Sequence, residues 1–197
     1  GVDVARFGGD RTALAKRRGN VQLEPVQSWH GKDTMQVAGL IIAEYEETPE
    51  EDKPSEILVD VNGIGAGVVD RLSEQNYPVR GINVAESPAV GDRFMRLRDE
   101  LWFKARESLE ARDCTLADDD ALIAELTGVR YDITSAGKIK VEGKDEMKKR
   151  GLRSCNLADA WCLTFAGGMD RVELEASDRY RRERYQRRHA SSNWMTA

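Results

Sequence analysis

Three aspartates stand where apolar packing would not place them. Asp3 interrupts the apolar run at residues 2–5, Asp60 closes the run Ile57-Leu58-Val59, and Asp159 lies inside Leu157-Ala158-Asp159-Ala160-Trp161-Cys162-Leu163. A carboxylate in such surroundings is costly unless it is paired or holds a metal. Clustered carboxylates with few histidines favour hard cations such as Mg²⁺ or Mn²⁺. Two such ions about 4 Å apart can activate a water and stabilise the leaving oxygen of a phosphodiester. A helix cap or a local ion pair would explain any one aspartate singly, but three in one chain ask for a shared explanation.

Other chemistries have little to build on. The only histidines are His30 and His189, which leaves histidine-dependent hydrolysis and histidine-rich metal sites weakly supplied. The three cysteines, Cys114, Cys155 and Cys162, are odd in number and form no C-x-x-C pair, so neither a disulfide framework nor a zinc site is expected and a reducing compartment fits better. Gly63-Ile64-Gly65-Ala66-Gly67 follows a strand and opens a helix, as a dinucleotide site would. Its spacing is G-x-G-x-G rather than G-x-G-x-x-G, and an aspartate precedes it, which would repel a pyrophosphate. These glycines are read instead as allowing a tight turn beside the aspartates. No phosphate-binding G-x-x-x-x-G-K-[ST] loop occurs, so ATP hydrolysis by this chain is not expected.

The elements that must position the aspartates follow from periodicity. Residues 2–5 read as a short buried strand, with a turn at Gly8-Gly9-Asp10, and residues 12–16 and 21–29 complete an antiparallel meander. Residues 34–45 carry apolar side chains at helical spacing, with Thr34 or Asp33 as N-cap. An acidic loop spans residues 49–54. Residues 57–59 form a continuous apolar run, typical of a strand buried on both faces. A helix to about Gln75 and a strand at residues 79–84 complete a parallel crossover, and sites in open α/β sheets form beyond the carboxyl ends of such strands. Helices are expected over residues 92–112, 118–126 and 156–166. Residues 129–134 and 138–142 flank Ser135-Ala136-Gly137 as a β-hairpin.

The fold class expected is therefore α/β: a mixed sheet of antiparallel and parallel strands flanked by helices, with an auxiliary hairpin. The length of 197 residues suits one domain with extensions, and 40% hydrophobic with 33% charged residues is an ordinary globular balance. No apolar run approaches the ~20 residues needed to span a bilayer, so no membrane association is expected. Gly1 leads straight into Val2-Asp3-Val4 without a signal-peptide pattern, and the expectation is an excised domain whose upstream part is missing. The net charge of −5 does not mark a nucleic-acid binder, but its distribution is uneven. Residues 44–56 carry seven acids against Lys53, and residues 138–153 carry seven bases against Glu142, Asp145 and Glu146. Acids at metals and bases along phosphates would give such a split, although a solvated face explains any single cluster.

Residues 1–10, Ile57-Leu58-Val59-Asp60 with residues 63–72, and residues 144–166 together resemble the nuclease domain of large terminase subunits, the DNA-packaging motors of tailed bacteriophages. The most specific piece is Lys149-Arg150-Gly151-Leu152-Arg153-Ser154-Cys155-Asn156-Leu157-Ala158-Asp159-Ala160, which the family often writes R-G-x-x-S-P-D/N-x-A-D-A-L. The resemblance covers residues 1–168 in the right order and spacing. Cys155 stands where the family has proline, and Asn156 where many members have aspartate.

The resemblance implies a ribonuclease-H-like fold over residues 1–168; the polar, arginine-rich composition of residues 169–197 reads as a basic, flexible C-terminal tail. It implies an endonuclease that cuts concatemeric double-stranded viral DNA with little sequence preference. Asp3, Asp60 and Asp159 would be the catalytic ligands of two Mg²⁺ or Mn²⁺ ions, with Asp10 as an auxiliary acid. Lys144, Lys148, Lys149 and Arg150 would contact phosphates, and Lys138 and Lys140 on the hairpin would guide the duplex. The partners implied are double-stranded DNA, a terminase ATPase domain upstream in the same chain, the small terminase subunit and the portal protein, all in the host cell cytoplasm. Other readings stay open from sequence: a junction resolvase of the same fold, an actin-like or sugar-kinase-type nucleotide binder, and a non-catalytic DNA- or portal-binding packaging domain.

Overall fold

The apolar run at residues 57–59 lies in the middle of a five-stranded sheet, inside a computed structural model that describes residues 1–5, 10–89 and 92–167. The turn expected at Gly8-Gly9 and the tail expected at residues 169–197 lie outside the described residues. In chain order the elements begin with β1 (Val2–Asp3), β2 (Thr12–Leu14), β3 (Arg17–Arg18), β4 (Val21–Gln22), β5 (Gln27–Trp29) and α1 (Thr34–Glu46). They continue with β6 (Ile57–Asp60), α2 (Gly65–Glu74), β7 (Val79–Ile82), α3 (Leu97–Glu110) and α4 (Asp120–Gly128). The hairpin strands β8 (Tyr131–Ile133) and β9 (Ile139–Val141) follow, then α5 (Lys144–Lys149) and α6 (Asn156–Leu163), which runs into a 3-10 turn at Thr164–Ala166.

The sheet order is β5-β2-β1-β6-β7. β1 pairs antiparallel with β2 and parallel with β6, β2 pairs antiparallel with β5, and β6 pairs parallel with β7. The expected mixed sheet is thus present, with its antiparallel and parallel halves meeting at β1. Side chains alternate across it. Val2, Leu14, Ile57 and Val59 pack with Val37, Ile41, Val68 and Leu72 of α1 and α2 on one face. Ala13 and Leu58 pack with α3, α4 and α6 on the other, around Leu101, Trp102, Leu122, Leu157 and Trp161. Each central strand is therefore buried on both sides, which is why residues 57–59 are apolar without interruption.

Three local expectations change. Residues 21–29 form two strands rather than one. Pro25 has no N–H for a ladder, the Gln22 side chain donates to the Glu24 carbonyl, and the Val26 N–H donates to Asp119 Oδ2, so the chain leaves the small β3–β4 hairpin and enters the main sheet anew. The helix expected from residue 92 starts at Leu97. Residues 93–95 are drawn onto the hairpin, where Ile139 N donates to the Arg93 carbonyl and Met95 N to the Ile139 carbonyl, and Arg96 is extended. Finally α5, which no periodicity announces, is a short polar helix whose single buried side chain is Met147. Among the described residues no helix is long and apolar enough to cross a membrane.

Candidate metal-binding site

Alternation along the strands decides where the aspartates point. Val2 faces α1 and α2, so Asp3 faces the other way; Leu58 faces α6, so Asp60, two residues on, faces α6 as well. The parallel register places Val2 beside Val59, which sets Asp3 level with Asp60 on adjacent strands. Helix α6 crosses this face of β1, β2 and β6 and carries Asp159. Its close approach needs small residues. Ala158 and Ala160 are fully buried, and a Cβ on Gly1 would lie 2.1 Å from the Ala160 carbonyl oxygen. Beyond Asp60 the chain must fold back into α2. Gly63 takes a positive φ of 112°, and a Cβ on Gly65 would lie 1.9 Å from the Asp60 carbonyl oxygen, so glycine is required for that return. The tight turn expected beside the aspartates is formed by these two residues.

Asp3 and Asp159 meet at the Lys144 ammonium, which the first residue of α5 carries, and Asp60 lies near enough to feel its charge. Lys144 Nζ lies 2.9 Å from Asp3 Oδ2 and 3.8 Å from Asp159 Oδ2. Asp159 Oδ1 accepts from Arg98 Nε at 2.9 Å and from Trp102 Nε1 at 2.8 Å, both on α3. The Cys155 thiol lies 3.5 Å from Asp159 Oδ2. Asp60 Oδ1 accepts from the Asn62 N–H at 2.9 Å. Asp10 sits at the margin, where Ser154 Oγ donates to it at 2.6 Å and Lys148 Nζ lies 3.7 Å away.

The electrostatics of these groups diverge. Burial, reinforced by Asp159 and Asp60 and opposed by Lys144, pushes Asp3 up to about 6. Burial also raises Asp60, against the Asn62 N–H that stabilises its charge. Burial works to raise Asp159 too, but Arg98, Lys144 and Trp102 outweigh it and hold the carboxyl below its ordinary value. The Ser154 hydroxyl, with Lys148 behind it, lowers Asp10. Lys144 is held protonated by Asp3 and Asp159 in spite of its burial.

The donor set suits a hard cation: buried carboxylate oxygens without imidazole, and a positive charge already seated between two of them. Among the described residues no three acidic, histidine or cysteine side chains are gathered as a closed metal cage. Asp3 and Asp159 share an ammonium instead. Three acids against Lys144 and Arg98 leave this cluster net negative, which favours a further cation.

The bases expected to meet DNA are spread along the hairpin and α5, and most have internal partners. Lys138 pairs with Asp92 at 3.5 Å, Lys140 with Glu146 at 2.8 Å, and Arg150 with Glu142. Lys149 is exposed and has no ion pair among the described residues. Sequence reasoning missed Arg98, Trp102 and Glu125. The last of these, on α4, accepts from the Ala158 N–H at 3.0 Å and so caps the start of α6. No spacing in the sequence links Arg98 or Trp102 to an acid some sixty positions away, although their i, i+4 separation does put them on one helix face. A separate cavity of about 400 Å³ opens at the other end of the sheet, against Gly1, Arg17, Glu44, Asp52 and Gly167. Around it Lys16 pairs with Glu44 and Arg18 with Asp52, while Arg17 donates to Thr164.

The architecture is the ribonuclease-H-like α/β fold found in the nuclease domains of bacteriophage large terminase subunits. The nuclease domain of the large terminase subunit gp2 of bacterial virus Sf6 superposes with a TM-score of 0.70 at 21% identity, covering 85% of this chain and 86% of that one. A lysine-to-alanine variant of the same domain, solved with manganese and β-thujaplicinol, gives 0.68 at 20% identity over 85% and 86%. The large terminase nuclease of thermophilic phage G20c, with bound magnesium, gives 0.57 at 18% identity over 84% and 78%. No protein-family model and no curated protein sequence matches the chain.

Proposed function

We propose that this chain is a divalent-metal-dependent endodeoxyribonuclease domain of a phage large terminase. It would cut concatemeric double-stranded DNA during genome packaging with little sequence preference, by two-metal phosphodiester hydrolysis. The observation that carries the reading is that Asp3 and Asp159 share one cation position, with Asp60 level with Asp3 on the next strand, on a fold shared with terminase nucleases that were solved with manganese and magnesium.

Asp3, Asp60 and Asp159 would hold Mg²⁺ or Mn²⁺, with Asp10 as an auxiliary acid. When bound, the metal pair supplies Lewis-acid activation of the attacking water and offsets charge on the departing oxygen. The chain's own residues bind and orient. Lys144 and Lys148, which contact Asp3, Asp159 and Asp10, would meet the phosphate backbone together with Lys149 and Arg150 further along α5, and Lys138 and Lys140 would extend that charge along the hairpin. Phosphate contacts of this kind confer affinity without base readout. An upstream ATPase domain in the same chain, the small terminase subunit and the portal protein are the partners this role requires, in the host cytoplasm.

The test is a plasmid-nicking assay with Mn²⁺, Mg²⁺ and EDTA on the parent and on Asp60→Asn. The parent is expected to nick and linearise DNA with either metal and not in EDTA, and the variant to lose at least 100-fold in rate. A folded parent that leaves plasmid intact in millimolar Mn²⁺ sinks the proposal.

A further inference from the structure

Asp159 lies in the first turn of α6, where its charge suits the helix dipole, and it pairs with Arg98 and Lys144, but neither role needs two donors on one oxygen. The helix start is also capped by Glu125 from α4. Both donors from one face of α3 converge on a single oxygen. Arg98 Nε and Trp102 Nε1 reach Asp159 Oδ1 at 2.9 and 2.8 Å, and the Arg98 guanidinium lies over the Trp102 ring, 5.4 Å from its centroid. Arg98 is itself pinned. Its Nη1 donates to the Glu142 carbonyl at 3.0 Å, just before α5 begins, and its Nη2 to Cys155 Sγ at 3.3 Å. Two donors satisfy the lone pairs of Oδ1 and fix the carboxylate plane. That leaves Oδ2 turned toward the Lys144 ammonium, which Asp3 also faces with its own Oδ2.

We infer that Arg98 and Trp102 are positioning residues that orient Asp159 so that Oδ2 is the oxygen presented to the cation. This rests on the metal-binding reading above. Outer partners of a ligating carboxylate fix its orientation, and their loss commonly weakens metal binding about 10- to 100-fold. Trp102→Phe removes one N–H and keeps a ring beneath Arg98. Arg98→Lys keeps the positive charge and loses the planar fork. The structure supplies a matched control in Trp161 on α6. It is fully buried and, among the described residues, its indole N–H has no hydrogen-bond partner, so Trp161→Phe makes the same chemical change in the same core without removing a bond seen there.

Mn²⁺ affinity of the full chain, read by electron paramagnetic resonance of free Mn²⁺ without DNA, decides the matter, with thermal melting to confirm that each protein folds. Trp102→Phe and Arg98→Lys should each weaken Mn²⁺ binding about 10-fold or more, while Trp161→Phe stays within about twofold of the parent. In cleavage assays the first two should lower kcat and leave KM for DNA unchanged. If Trp102→Phe and Trp161→Phe bind Mn²⁺ alike, the orienting role is overturned while the metal site stands. An Arg98→Lys protein with parental affinity reduces the effect to charge and overturns it too. A folded parent that binds no Mn²⁺ overturns both this inference and the metal-binding reading beneath it.

Discussion

Asp3 and Lys144 form an ion pair in which the acid is 8% and the base 35% exposed, so the two partners are differently solvated. Removing one partner of a fully buried pair costs about 3–5 kcal/mol. With Lys144 about a third exposed, Lys144→Met should cost less, on the order of 1–3 kcal/mol, measured as a lower Tm in EDTA. The same change takes a competing cation out of the carboxylate cluster. The gain in Tm on adding Mn²⁺ should therefore be larger in Lys144→Met than in the parent. An equal or smaller gain would mean that the ammonium does not compete for the cation position. The buried bonds from Arg98 and Trp102 belong to this scale too, because they act on a single oxygen rather than on the fold.

At the scale of elements, the return from β6 into α2 is the most demanding piece of backbone near the site. Gly65 packs against the Asp60 carbonyl, where a Cβ would sit at 1.9 Å, whereas a Cβ on Gly67 would have 3.8 Å to its nearest neighbour, Thr34. Gly65→Ala should force β6 and α2 apart, lowering stability by about 1–3 kcal/mol and displacing Asp60. Gly67→Ala lies inside the helix with room to spare and should be neutral or stabilising by up to about 1 kcal/mol. Chemical denaturation of the pair checks this, and equal effects would show that the close approach is not what glycine serves at position 65. Helix α6 depends in a similar way on α4. Glu125→Ala removes the carboxylate that accepts the Ala158 N–H and should cost about 1 kcal/mol, with no change in α4 itself.

Charge is divided across the described residues. The acids of residues 44–52 lie on α1 and the turn after it, while the bases of residues 138–150 lie on the hairpin and α5, where Lys144 and Lys148 reach the aspartates. DNA affinity, on the proposed function, should therefore fall steeply with salt and vary little with sequence. Each phosphate contact contributes roughly 0.9 to the slope of log K against log salt. Lys148→Gln and Lys149→Gln should each lower that slope by nearly one, measured by fluorescence anisotropy on unrelated duplexes. A slope unchanged in the double variant would remove α5 from the DNA interface.

Much of this was legible from local pattern. The run at residues 57–59 and the acid that ends it announced a central strand and its carboxyl-end site, because a strand buried on both faces leaves few polar options. The helical spacing at residues 34–45 and the hairpin around Ser135-Ala136-Gly137 were equally readable, since both are set by near neighbours. The sequence alone thus determined which acids are out of place and on which elements they ride. Only the tertiary structure decided that Asp3 stands level with Asp60, that α6 lays Asp159 over both, and that Lys144 joins Asp3 and Asp159. It also decided that Arg98 and Trp102 hold Asp159, and that residues 21–29 break at Pro25. These depend on strand register and helix crossing between segments tens of residues apart, where contact energy rather than local propensity chooses the partner.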